Sequence, residues 1–283
     1  MPAARPTPRV TTLDTKGTSF SRGTAPARRR LILALDGMEK QGKTHLALTA
    51  PRPTAILNFD IGLEGVVEKA SSQDQIYPAN YPAPRVLANQ VQQTSDAAQA
   101  VWTKVATDYY WALKNCRSLI CDTASEMWET LRLARFGKLT QVMPHHYGPV
   151  NAEFRALIRA AYDHDCNVVF LHKLKAVYDT KMVNGKEVSN KILGAFARQG
   201  MGDMGFLAQL NGMVWRGDPD NPPVSKGDYY TNVTYDPTGT FNLFVKDCRQ
   251  NAALSGETIP QHLLDFATVA QMVVEDSVES DWT

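Results

Sequence analysis

The chain has 283 residues, of which 43% are hydrophobic and 21% charged, and its formal net charge is +1. That composition is ordinary for a soluble globular protein with one substantial core. No stretch approaches the roughly 20 apolar residues that span a bilayer, and the N-terminus has arginines and prolines but no apolar signal core, so the chain is expected to have no membrane partner and to stay in a cytoplasm.

Residues 1–30 carry Arg5, Arg9, Lys16, Arg22, Arg28, Arg29 and Arg30 against Asp14 alone. A basic arm rich in Pro and Thr is expected to be disordered in isolation, serving either as a nucleic-acid or partner-binding arm or as a solubilising leader. A folded core is expected over 31–274, followed by an acidic tail, 275–283. That tail either competes with nucleic acid, docks on a partner through Trp282, or is merely solvated.

The core opens on the apolar run Leu31-Ile32-Leu33-Ala34-Leu35, as expected of a parallel strand covered on both faces. Residues 37–44 then read Gly-Met-Glu-Lys-Gln-Gly-Lys-Thr, the G-x-x-x-x-G-K-[ST] phosphate loop, ahead of a helix-like stretch from His45. A nucleotide polyphosphate needs main-chain N–H groups, glycines where a side chain would block approach, an ammonium, and a hydroxyl for Mg²⁺. Gly37 and Gly42, Lys43 and Thr44 supply these. Met38, Glu39, Lys40, Gln41 and His45 complete the stretch expected to border the nucleotide, His45 mainly by packing.

A second strand is expected over Ala55–Asp60, and a Pro/Tyr-rich passage from Ile76 to Asn89 reads as irregular chain. A helix follows over about 94–114, then a strand, Ser118–Thr123, then helices at about 124–137 and 151–163, and a strand at Asn167–His172. Strands alternating with helices imply an α/β fold with a mostly parallel central sheet. The pattern then changes. A β-hairpin is expected from Ala176 to Lys191 with Asn184-Gly185 at its turn. A glycine-rich segment leads into a helix ending near Leu210. Antiparallel strands are expected at 212–216, 229–235 and 241–246, the last two joined through Asp236–Gly239, with a closing helix over 261–274. The four cysteines (Cys116, Cys121, Cys166, Cys248) form no C-x-x-C pair and are expected as reduced thiols, not a zinc site.

Hydrolysis requires a carboxylate for the metal's water shell and a group to orient the attacking water. Asp122 ends an apolar strand and is the expected Walker B residue, holding Mg²⁺ with Thr44. Asp60 ends its strand in the same way and Glu64 follows, so one of them is expected to activate water, Asp60 first. Glu126 is a third carboxylate, expected on a helix surface. His172, at the end of the next strand, is expected to touch the γ-phosphate or its water. The stretch after it holds Lys173, Lys175, Lys181, Lys186, Lys191 and Arg198 with Tyr178 and Phe196 between them. Cations that track phosphates, with aromatics for stacking, suit single-stranded DNA, although a solvated lysine hairpin has the same composition.

In their order, Gly37–Thr44, Asn58–Glu64, Leu119–Thr123, Val168–Lys173 and Phe244–Arg249 resemble the AAA/RecA-like P-loop proteins encoded by phages, in particular the short RecA-core ATPases that act with single-strand binding protein in strand annealing. The resemblance spans about residues 31–265. It implies a RecA-like P-loop NTPase fold, ATP and Mg²⁺ as ligands, single-stranded DNA and possible single-strand binding protein as partners, and a homo-oligomer in which Lys246 and Arg249 reach a neighbour's γ-phosphate. In that family the second strand commonly ends in glutamate. Asp60 stands there in this chain, which implies slow turnover. Alternatives to a DNA-stimulated recombination ATPase are a DnaB-like helicase core or loader, a nucleotide-gated scaffold with little turnover and, least, a small-molecule kinase.

Overall fold

In the computed structural model, the described residues are 30–60, 63, 65–70, 75–84, 91–139, 143–183, 186–234 and 236–282. In chain order the elements are β1 (Ile32–Asp36), α1 (Lys43–Ala47), β2 (Thr54–Asn58), β3 (Ile76–Asn80), α2 (Val91–Asn115), β4 (Ser118–Asp122), α3 (Ala124–Phe136), α4 (Pro144–Ala161) and β5 (Asn167–His172). They continue with β6 (Leu174–Val183), β7 (Lys186–Arg198), α5 (Met204–Leu207), β8 (Leu210–Gly217), β9 (Val224–Lys226), β10 (Tyr229–Thr231), β11 (Thr240–Cys248), β12 (Thr258–Ile259) and α6 (Phe266–Val273).

The central sheet runs β12-β11-β8-β1-β5-β4-β2-β3. The six strands from β8 to β3 are mutually parallel, while β11 pairs antiparallel with β8 and β12 antiparallel with β11. The fold is therefore α/β with a mostly parallel sheet extended by antiparallel strands, as expected from the sequence. β1 lies between β5 and β8, so the chain after β1 enters the crevice beyond the strands' carboxyl ends, where ligands of open α/β sheets bind.

Successive side chains of a strand point to opposite faces. Ile32, Ala34, Leu57, Leu119, Cys121, Val168 and Phe170 pack on one side with α2, α3 and α4. Leu33, Leu35, Ile56, Ile120, Val169 and Leu171 pack on the other with α1 and α6. Helix α2 buries Ala98, Trp102, Val105, Tyr109 and Leu113 at helical spacing. Thr123 caps α3 by accepting from the Glu126 N–H at 3.3 Å. Gly137 ends α3 at φ 60°, where a Cβ would lie 2.3 Å from the Val91 carbonyl.

Several expectations are corrected. The Ile76–Asn80 part of the passage read as irregular is strand β3, an edge position that tolerates Pro78. Helix α4 begins at Pro144 rather than 151, with proline in its first turn. The helix expected to end near Leu210 is the single turn α5, and Leu210 already pairs with Leu33. Strand β10 does not join β11. It belongs to a second antiparallel sheet, β6-β7-β10-β9, to which the hairpin also belongs; Asn184, Gly185 and Tyr235 lie outside the described residues. The closing helix is a 3-10 turn at Gln261–Leu263 followed by α6. Trp282 is buried against the chain's own core beside Phe266, so it does not project from the acidic tail to dock on a partner. Residues 1–29 lie outside the described residues. Among the described residues no helix is long and apolar enough to cross a membrane.

Candidate nucleotide site

The phosphate-loop residues follow β1 directly. A Cβ on Gly37 would sit 2.6 Å from the Val214 carbonyl, and Gly42 holds φ +88° with a Phe241 ring carbon 2.8 Å from where its Cβ would be. Both positions therefore require glycine, one for space and the other also for its left-handed backbone. The Lys43 ammonium folds across the loop and donates to the Gly37 and Met38 carbonyls at 2.8 and 2.7 Å. Burial lowers its pKa, while the carboxylates of Asp122, Asp36, Asp60 and Glu39 oppose that shift. The buried Gln41 side chain accepts from the Met38 N–H at 3.0 Å and braces the loop. Glu39, Lys40 and His45 are exposed, so His45 does not pack as expected. Instead it lines a cleft of about 440 Å³ with Gly42, Thr49, Phe241, Gln261 and Leu264.

The Thr44 hydroxyl donates to an Asp122 carboxylate oxygen at 2.8 Å. Strand alternation explains the meeting: Asp122 follows Ile120 onto the face that α1 covers. Burial raises the Asp122 pKa, with the Thr44 hydrogen bond and Lys43 opposing, so a partly uncompensated carboxylate stands beside a hydroxyl. Two hard oxygen donors with unbalanced negative charge fit a magnesium ion, which uses one or two protein ligands plus phosphates.

The same alternation moves His172 away from the position expected for it. It follows Phe170 onto the opposite face, is 1% exposed, and stands in register with Asp36. There Asp36 accepts Arg198 Nε at 2.6 Å, Arg198 Nη2 at 2.9 Å and the Tyr230 hydroxyl at 2.7 Å. Arg198 also donates to the Asn211 side-chain amide oxygen, and the Asn211 amide nitrogen donates to Asp247 at 2.9 Å. Burial pushes Asp36 up but Arg198 outweighs it and holds the carboxyl below its ordinary value. Burial, then Arg198, lowers His172 to about 3, and neither ring nitrogen has a well-formed hydrogen bond. His172 is therefore buried beside the Asp36–Arg198 pair, on the sheet face opposite Asp122.

Its successor, Lys173, donates to Glu126 at 3.1 Å and lies 3.9 Å from Asp60. Asp60 is about one-third exposed at the mouth of the site, and its N–H donates to the Asn58 side chain at 3.1 Å. Glu64 lies outside the described residues. Two sequence signals would have found this cluster: the alternation of β5 carried one residue past its end, and the position of Glu126 in the first turn of α3.

The residues assigned to DNA separate into two groups. Lys173 and Arg198 are engaged by Glu126, Asp60 and Asp36, and Phe196 packs against the cluster of Met213, Trp215, Tyr230 and Phe244, so each of these three has partners within the chain. Lys175, Tyr178, Lys181 and Lys191 are exposed on β6 and β7. Tyr178 and Lys191 are register partners and share a face, whereas Lys181 pairs with Asp179 at 2.7 Å. The Lys186 side chain lies outside what is described. The Lys246 ammonium sits 5.6 Å over the Tyr230 ring, and Arg249 is exposed with its guanidinium donating to the Phe206 carbonyl.

Residues 29–196 match the family profile described as an AAA domain. No curated protein sequence matches the chain. Among solved structures, the KaiC-like protein of the hyperthermophilic archaeon Pyrococcus horikoshii OT3 aligns over 81% of this chain and 84% of its own, at 11% identity and a TM-score of 0.39. Because the AAA-domain match spans more than half of the sequence and takes in the phosphate loop, Thr44 and Asp122, the chain belongs to the AAA domain family of P-loop nucleotide-binding proteins.

Proposed function

We propose that the protein binds and hydrolyses ATP with magnesium and uses the nucleotide state to set its β6–β7 hairpin on single-stranded DNA, in recombination, annealing or replication of the kind served by the phage proteins it resembles. One observation carries the reading. The Thr44 hydroxyl is bonded to Asp122 at the mouth of a loop whose lysine already spans it.

When phosphates enter, Lys43 exchanges the Gly37 and Met38 carbonyls for phosphate oxygens. Thr44 and Asp122 would hold magnesium, which supplies neutralisation of phosphate charge when bound. The cleft beside Gly42 and Phe241 takes the base and ribose. Asp60 orients a water whose oxygen bonds to the γ-phosphorus as the bond to the bridging oxygen breaks, the electron pair leaving with ADP and the proton passing to carboxylate or solvent. Exposed Tyr178 beside Lys191, with Lys175 nearby along β6, offers one base-stacking surface and two phosphate contacts.

The test is ATP hydrolysis with and without single-stranded DNA, beside Lys43→Ala. Hydrolysis by the wild type that DNA accelerates and Lys43→Ala abolishes is the expected result; equal rates in both proteins would overturn it. A nucleotide-gated binder with little turnover is the second reading, favoured by the short Asp60 carboxylate lying within reach of a lysine. It would show magnesium-dependent ATP binding with negligible DNA-stimulated hydrolysis.

A further inference from the structure

We propose that Lys173, and not His172, is the cation that distinguishes ATP from ADP within one chain, by leaving Glu126 and Asp60 for the γ-phosphate. The inference rests on the nucleotide-site reading above and assigns that site a residue which neither the family match nor the phosphate-loop pattern supplies.

Three observations support it. The ammonium is held between two carboxylates, 3.1 Å from Glu126 and 3.9 Å from Asp60, and it acts electrostatically on Asp122. Burial alone would lower its pKa, but the hydrogen bond and charge of Glu126 and the charge of Asp60 outweigh that and hold it above the ordinary lysine value, so it is fully charged. Its side chain is 28% exposed, open enough to exchange partners. A γ-phosphate is a stronger anion than either carboxylate and brings three acceptor oxygens, whereas ADP leaves that place empty and Lys173 with its carboxylates. Departure of Lys173 also frees Asp60 to accept from water.

Lys173 is also where the second sheet begins. Its N–H donates to the Ser125 hydroxyl oxygen at 3.0 Å, while that hydroxyl donates to the Gln199 carbonyl at 2.8 Å. The Gln199 N–H in turn donates to the Lys173 carbonyl at 2.8 Å. The start of β6 and the residue just after β7 are thus clamped to the first turn of α3 at the one side chain proposed to move. The exchange of partners thus takes place at the root of the hairpin.

The experiment measures equilibrium affinities of magnesium-ADP and magnesium-ATPγS for the full chain, and takes their ratio. In Lys173→Met the preference for ATPγS falls at least about tenfold, the value of one charge-assisted hydrogen bond, while ADP affinity stays near that of the wild type. An unchanged ratio overturns the inference. Should that variant fail to fold, Glu126→Gln decides: loss of the competing carboxylate raises the ratio, and a ratio equal to the wild type's overturns the inference. Wild-type protein that binds neither nucleotide would instead sink the site reading itself, so the two failures are distinguishable.

Discussion

A histidine buried without a well-formed hydrogen bond ties stability to pH. His172 titrates near 3 in the folded chain and near 6.5 when unfolded, because burial and the nearby Arg198 disfavour its charged form. Between those values the unfolded chain takes up a proton that the native one refuses, so stability is lost as pH falls from 6.5 toward 3. The effect is about 1.4 kcal/mol per pH unit, or about 2 kcal/mol between pH 7 and pH 5. Asp36, with its pKa held below the ordinary value, loses its contribution only at lower pH, outside that window. Denaturant melts at pH 7 and pH 5 should show the loss in the wild type and about 2 kcal/mol less of it in His172→Leu; equal losses would exclude this assignment. The phosphate loop, Thr44 and Asp122 were legible at this scale because each fixed residue type has one chemical job at one spacing. The roles of His172 and Lys173 turn on the alternation of β5 carried one residue past its end, a fainter signal than a fixed motif because nothing in the residue types marks where the strand stops. Arg198 looked like a free cation because its partner Asp36 lies 162 positions away.

At the scale of elements, the strands and helices around β1, β4 and β5 could be read directly, since their apolar runs are long and covered on both faces. The errors fall where local pattern and tertiary context disagree. Pro78 argued against a strand, yet an edge strand has one side whose N–H groups need no partner. The Gly-rich 200–205 segment suggested a longer helix, but Gln209 already donates its N–H to the Ile32 carbonyl and its side chain accepts from the Ile32 N–H, which commits the chain to β8. Trp282 closes the list: composition marked 275–283 as an acidic tail, whether competing with nucleic acid, docking through Trp282 or merely solvated, and composition does not register one indole that is 1% exposed. That side chain packs at 6.5 Å, edge to face, on Phe266 of α6. Trp282→Ala should therefore cost about 3–5 kcal/mol in chemical denaturation, as for other large core truncations. A cost under about 0.5 kcal/mol, as at a solvated surface position, would mean the segment does not hold α6.

Taken as a whole, the molecule separates its two candidate trans-acting cations. Arg249 donates its N–H to the Gln209 carbonyl, beside the start of β1, whereas the phosphate loop leaves the other end of that strand. Five residues of strand at about 3.3 Å each put Arg249 on the order of 15 Å from its own Lys43, too far for a contact in cis. Lys246 is held over the Tyr230 ring, near Asp36, and has a partner inside its own chain. Arg249 is exposed, and so is the Phe206 side chain whose carbonyl it touches, which together make a surface with both charge and apolar area. If an oligomer completes the site, Arg249 is the residue to supply it. Lys43→Ala removes the receiving half of each site, and Arg249→Ala removes the donated half while leaving its own loop intact. Each variant alone should hydrolyse ATP far more slowly than the wild type. Random mixing in equal amounts pairs an intact loop with an intact arginine at about a quarter of the interfaces, so the mixture should recover about a quarter of wild-type hydrolysis. Wild-type hydrolysis by Arg249→Ala alone would leave Arg249 as an ordinary surface cation, and recovery of nothing from two slow variants that each remain folded and assembled would rule out donation of Arg249 across an interface.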